Sequence, residues 1–268
     1  MIRLALRVRR ADAELVLAEL LELAPNGVEE NEDGEVVEFA VYGAPGELPA
    51  LPALRAAAGE AFVEVETEEI PDDWYDGWKE FHRPIVVGDR LRVRPPWEPD
   101  AAGDLVDVVI DPGMAFGTGA HPTTRMCLDL ILELDPGGPF ADLGCGSAVL
   151  AIAAAKLGWD PVVALDHEAA AVEAATANAA ANGAAIEARR WDLRRDGLPA
   201  APTIAANLLR PLLLELARRL DAPPRHLVAG GLLVEQADEL AAAFAARGLV
   251  EQARRADGEW AALLLRGR

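Results

Sequence analysis

Residues 139–158 read PFADLGCGSAVLAIAAAKLG. A short apolar run ends in Gly144 and Gly146, and a run of Ala, Leu and Ile follows until Gly158. The first part has the length and composition of a buried strand, and the second fits a helix stopped by glycine. A strand that turns through glycines into a helix is the opening unit of a doubly wound sheet. Working outward, the same alternation continues. PVVALDH is a strand and EAAAVEAATANAAANG a helix; AIEARRWD is a strand; PTIAANLL leads into the helix PLLLELARRL; RHLVAGGLL leads into VEQADELAAAFAARG. LVEQARR and WAALLLRG close the chain as two strands around Asp257-Gly258 with no helix between them. Upstream, VDVVIDPG is a strand and Thr123 to Leu134 a helix. Residues 101–268 therefore predict a parallel α/β sheet with helices on both faces, ending in an antiparallel hairpin.

The first 70 residues have a different rhythm. IRLALRV alternates as a strand, and ADAELVLAELLEL has helical spacing through Leu15, Ala18, Leu21 and Leu23. Two strands surround Asp33-Gly34, a short helix fits between Pro49 and Gly59, and AFVEVETEEI alternates as a last strand. The order β-α-β-β-α-β predicts a small α+β domain of ferredoxin-like type over 1–70. Residues 71–100 form an interdomain linker, partly helical because Trp74, Trp78 and Phe81 repeat at helical spacing.

Composition excludes several functions. The formal net charge is −20, against a nucleic-acid backbone as partner, since such binding needs clustered Lys and Arg. Sixteen Asp and Glu against five Arg over residues 1–70 give that segment −11, which suits a basic partner. Apolar runs are far shorter than the roughly 20 residues a bilayer requires. The N-terminus is too short and too charged for a signal peptide, so the expected compartment is the cytoplasm. Two cysteines make no disulfide scaffold, and the four histidines show no metal-ligand spacing, so no metal is expected.

In such sheets ligands lie at the carboxyl ends of the strands. Asp142, Gly144 and Gly146 stand at the end of the first strand of the 139–158 unit. G-x-G-x-x-G/A would end at Val149, which disfavours a dinucleotide. Asp166 ends the next strand; its two oxygens match the two hydroxyls of a ribose, the alternative being a helix N-cap. Asp192, in RRWDL, can accept from the exocyclic amine of adenine beside Trp191 or Leu193, or is a loop acid. Asn207, in NLL, can orient an amine through its carbonyl oxygen, or cap the following helix.

One loop remains. DPGMAFGTGAHPTT, residues 111–124, is rich in glycine yet lacks the lysine of a Walker loop. Taken together, DLGCGSAVL, Asp166 and NLL resemble a class I methyltransferase dependent on S-adenosylmethionine. With this loop, the aromatic segment WYDGWKEFHRP and the small domain in front, nearly the whole chain resembles the family that methylates ribosomal protein L11 of the large subunit. The resemblance implies S-adenosylmethionine as cofactor, contacted by Thr123, Gly144, Asp166 and Asn207, with Phe116 and Gly117 close by. It also implies transfer to lysine side-chain amines and the α-amine of a basic ribosomal protein recognised by the N-terminal domain; the enzyme is expected to be a monomer. His121 is a candidate proton relay, or a structural loop residue. The family's glycine turn usually has Gly where this chain has Ala148. Other acceptors, namely a small molecule, a glutamine side chain or RNA, stay open, although Asn207-Leu208-Leu209-Arg210 lacks the Asn-Pro-Pro-Tyr of glutamine-directed relatives. A binding module on a degenerate fold is the third possibility.

Overall fold

The computed structural model describes residues 2–13, 16, 20, 29–33, 36–43, 48, 54–55, 58–69, 83–100, 103–111 and 121–268. Phe116, Gly117 and the aromatic residues at 74, 78 and 81 lie outside the described residues. Chain contacts divide the molecule into two compact units, residues 1–81 and 82–268.

The first unit is one antiparallel sheet. Strands β1 (Ile2–Arg9), β2 (Glu29–Asp33), β3 (Val36–Gly43) and β4 (Phe62–Glu69) lie in the order β2-β3-β1-β4. Leu4, Leu6 and Val8 alternate inward from β1 and are buried. They pack with Ala13, Val16 and Leu20, and with Leu54 and Ala58, all in helical backbone. The apolar face read through Leu15, Ala18, Leu21 and Leu23 lies outside the described residues. On the other face Arg3 and Arg7 both bond the Glu38 carboxylate, which holds that acid below the usual carboxylate range.

The second unit begins earlier than the sequence suggests. Residues 85–94, read as linker, form strands β5 (Ile85–Val87) and β6 (Leu91–Arg94). They pair with β7 (Val106–Val109) in a three-stranded sheet of order β5-β6-β7. Leu91, Val93 and Val108 are buried against the main core, and the buried Arg94 guanidinium donates to Asp107 at 2.7 Å. Strand β7, which the alternation rule would put in the main sheet, belongs to this small one.

Seven strands make the main sheet: β8 (Phe140–Leu143), β9 (Val162–Asp166), β10 (Ile186–Arg190), β11 (Thr203–Asn207), β12 (His226–Leu233), β13 (Leu249–Asp257) and β14 (Trp260–Gly267). Their order is β10-β9-β8-β11-β12-β14-β13, parallel from β10 to β12, with β14 antiparallel between β12 and β13. Helices α1 (Pro122–Leu132), α2 (Val149–Leu157), α3 (Ala169–Asn182), α4 (Arg210–Arg219) and α5 (Ala237–Ala245) flank it. Alternate residues of each strand enter opposite cores. Phe140, Val162 and Ala205 face one cluster, whereas Ala141, Leu165 and Ile204 face the other. The strand order reverses between β8 and β11, and there the ends of two neighbouring strands splay their following helices apart.

Candidate active site

The turn after β8 is tightly wound. Gly144 and Gly146 have φ of +69° and +50°, and Ala148 has +64°, a left-handed conformation rare for a residue with a Cβ. At Gly144 a Cβ would come within 2.3 Å of the Leu208 side chain. The turn is fastened from β9. Gly144 N–H donates to Leu165 O at 2.8 Å, and Gly146 N–H donates to Asp166 Oδ2 at 3.0 Å. Asp166 Oδ1 accepts Glu168 N–H at 3.1 Å. Glu168, not Asp166, occupies the N-cap of α3.

Asp142 lies inside β8 rather than at its end, 1% exposed, and accepts Ala151 N–H at 3.1 Å. Burial drives its carboxyl up to about 7; the Ala151 bond opposes this, and the charge of Asp166 adds to it. Burial, with the charge of Asp142, also pushes the Cys127 and Cys145 thiols well above their ordinary value, so neither is a ready thiolate nucleophile.

Across the switch point, Asn207 ends β11. Its Nδ2 donates to Thr124 Oγ1 at 3.3 Å. The N-cap of α4 is Leu209, so Asn207 does not cap that helix. His121 is the N-cap of α1: its Nδ1 accepts Thr123 N–H at 3.3 Å and lies 2.8 Å from Thr123 Oγ1. The ring meets Trp260 edge-on, centroids 4.9 Å apart.

Seven of the residues singled out in the sequence line one cavity of about 560 Å3: His121, Thr123, Asp142, Gly144, Gly146, Asp166 and Asn207. Asp192 lines an adjoining cavity of about 270 Å3 with Trp191 and Leu193, which shares Gly144 and Asp166 with the first. Asp192 also organises its own turn, accepting Arg194 N–H at 2.8 Å. The result is a cleft of ligand size, open at the strand ends, with acids toward one end and an amide toward the other.

Known proteins are similar to this chain. The profile of the family described as Ribosomal protein L11 methyltransferase (PrmA) matches residues 49–268. A ribosomal protein L11 methyltransferase of Geotalea uraniireducens is 38% identical, with 81% of this chain and 76% of the relative covered. One from Bordetella parapertussis is 36% identical, covering 90% of this chain and 92% of the relative. The crystal structure of the ribosomal protein L11 methylase of Lactobacillus delbrueckii superposes with a TM-score of 0.64 at 30% identity, over 70% of this chain and all of that one. The chain belongs to the ribosomal protein L11 methyltransferase family.

For a member of that family, several lining residues escape a reading of strand ends. Thr124 carries the bond to Asn207, and its only signal was the doublet Thr123-Thr124. Gly231, φ +78°, brings β12 so close to Leu208 that a Cβ would sit 2.5 Å from the Leu208 carbonyl oxygen. The Gly230-Gly231 doublet within a strand pattern was its signal, and the β12–β14 register shifts there. Trp260 lines the cavity from the far strand β14, a placement that only the tertiary fold creates.

Proposed function

We propose that this methyltransferase transfers methyl groups from S-adenosylmethionine to lysine side-chain amines, and to the N-terminal α-amine, of ribosomal protein L11. Family membership carries the reaction and the methyl donor. The single observation that carries the site is the convergence of Asp166 and Asn207 on one cavity from either side of the switch point.

The residues present fit the donor. A carboxylate has about four acceptor sites, and Asp166 spends one on each of two backbone N–H groups. The remaining lone pairs suit two ribose hydroxyls. Asp192 would take the exocyclic amine of adenine, with Trp191 and Leu193 beside the ring. Gly144 and Gly146 would let the backbone approach the ligand, and Thr123 would border it. Phe116 and Gly117 are proposed as further contacts. Bound there, S-adenosylmethionine supplies an electrophilic methyl next to a cationic sulfur.

The acceptor end is the chain's own work. Because the Asn207 amide nitrogen is engaged by Thr124, its oxygen is the group left to accept an N–H and aim the amine. A lysine must be neutral to attack, and its reference pKa is about 10.4. A water-poor site beside positive charge favours loss of that proton. Alignment of the reacting atoms then supplies most of the acceleration. His121, with Nδ1 accepting from Thr123, is better suited to fixing the start of α1 than to relaying a proton.

We assign recognition of the basic substrate to the N-terminal unit, whose first 70 residues carry a charge of −11. The overall −20 opposes a nucleic-acid partner. Among the described residues no helix is long and apolar enough to cross a membrane. The cytoplasm is proposed as the enzyme's compartment because the proposed substrate is a ribosomal protein, and a monomer as its state.

Incubation with methyl-labelled S-adenosylmethionine and purified ribosomal protein L11, followed by mass spectrometry, tests the proposal. Label on lysines or the N-terminus is expected. Label absent while the donor binds would move the acceptor elsewhere.

A further inference from the structure

Among the described residues, strand β7 has a strand partner on one edge only. Its N–H groups at Val106 and, beyond its end, Ile110 face β6, donating to Arg90 O and Arg94 O. The opposite edge presents the backbone of Asp107, Val109 and Asp111, and side chains meet it where a strand would otherwise run. Lys156 of α2 donates to Asp107 O. Asn182 of α3 takes both groups of Val109, accepting its N–H at 2.8 Å and donating to its O at 2.6 Å. Asn178, one turn earlier on the same face of α3, accepts Asp111 N–H at 3.1 Å.

Asn178 differs from the other two in what its second group does. Its Nδ2 donates to Ser147 O at 3.0 Å, inside the turn between β8 and α2. The side chain is 4% exposed and lines neither cavity. One amide thus joins the exit of β7 to the glycine turn. That turn is held on its other side by Asp166, through Gly146 N–H. Adjacent residues, Gly146 through its N–H and Ser147 through its carbonyl, are therefore pinned from β9 and from α3 just before Ala148 adopts its left-handed conformation.

We propose that Asn178 is a positioning residue for the cofactor: it fixes the Gly144–Gly146 turn in the conformation that faces the ligand, and ties to it the point where the chain leaves β7. The inference rests on the cavity's binding S-adenosylmethionine. Asn182 is the natural comparison, since it clamps β7 with two hydrogen bonds and touches no part of the turn.

The test compares wild type, Asn178→Ala, Asn178→Ser and Asn182→Ala as full chains. Each is titrated with S-adenosylmethionine, assayed for the KM of the protein acceptor, and unfolded with denaturant. Serine stays polar, so its substitution disturbs the buried site less, but it is too short to reach both groups. Both Asn178 variants should raise the cofactor Kd about tenfold, the size of one lost hydrogen bond, with the acceptor KM unchanged. Asn182→Ala should lose stability and keep its cofactor Kd within about twofold. Cofactor affinity unchanged in the Asn178 variants, or weakened equally in Asn182→Ala, overturns the positioning role. A wild type that does not bind S-adenosylmethionine overturns the cofactor reading itself, and this inference with it.

Discussion

The two ends of the cavity are held in different ways. At the β9 end, Asp166 is fixed by two backbone N–H groups, Gly146 and Glu168, so its position follows from the path of the chain. At the β11 end, Asn207 leans on one side-chain hydroxyl, Thr124, at 3.3 Å. A ligand common to every turnover can be met by a rigid, backbone-built surface. On the proposed reading, an amine that arrives on a separate protein would be met by a group whose orientation depends on one weak contact. The division implies that affinity for the donor and rate of transfer can be altered separately.

The largest effect should come from the backbone-held end. Asp166→Ala removes a charged acceptor and the fastening of Gly146; at about 1.5–3 kcal/mol per hydrogen bond to a charged group, cofactor Kd should rise about 100-fold or more. Calorimetric titration reads this directly, and an unchanged Kd would remove the ribose assignment. Next, Asn207→Ala should lower kcat about 100-fold, the loss typical of one oriented polar group, with cofactor Kd within about threefold. Equal damage to both quantities would break the division. Thr124→Val sharpens it: losing the support of Asn207 should cost about tenfold in kcat and little in cofactor Kd.

The remaining effect is a slope in stability. Asp142 titrates near 7 in the folded protein because it is buried, against an ordinary value of 3.8. A carboxyl raised on folding contributes fully below about pH 4, and that contribution fades as pH rises toward 7. Asp142→Asn cannot ionise, so its stability relative to wild type should improve steadily from pH 4 to pH 7. Chemical denaturation at three pH values checks this. A constant difference would show that Asp142 ionises as easily folded as unfolded.

Much of this was legible because both faces of the main sheet are covered. Strands such as VVALD and TIAAN are short apolar runs bounded by helices, and a residue at their carboxyl end is exposed to a ligand by topology alone. Asp166 and Asn207 were singled out in this way, and both line the cavity. What escaped depends on pairing at a distance. The alternation of RLRVR, residues 90–94, is compatible with a strand, but nothing local says that it joins β7 rather than serving as linker. The conformation of Ala148 was hidden for a similar reason: alanine favours helices, and only the fastening on either side holds it at positive φ. Thr124 was hidden too, since a buried hydroxyl on α1 gains its meaning from a residue 83 positions away.

Strand β14 has a consequence for the order of assembly. Among the described residues β13 pairs only with β14, and β14 joins it to β12. During synthesis, strands β8 to β12 can associate as they emerge, but β13 must wait for a strand made after it. The hairpin then docks as a unit and brings Trp260 to the cavity wall. A nascent chain can thus possess the glycine turn, Asp166 and Asn207 in place and still lack one side of its binding site. Completion of the sheet, rather than emergence of the binding residues, sets the earliest moment at which the enclosed site exists.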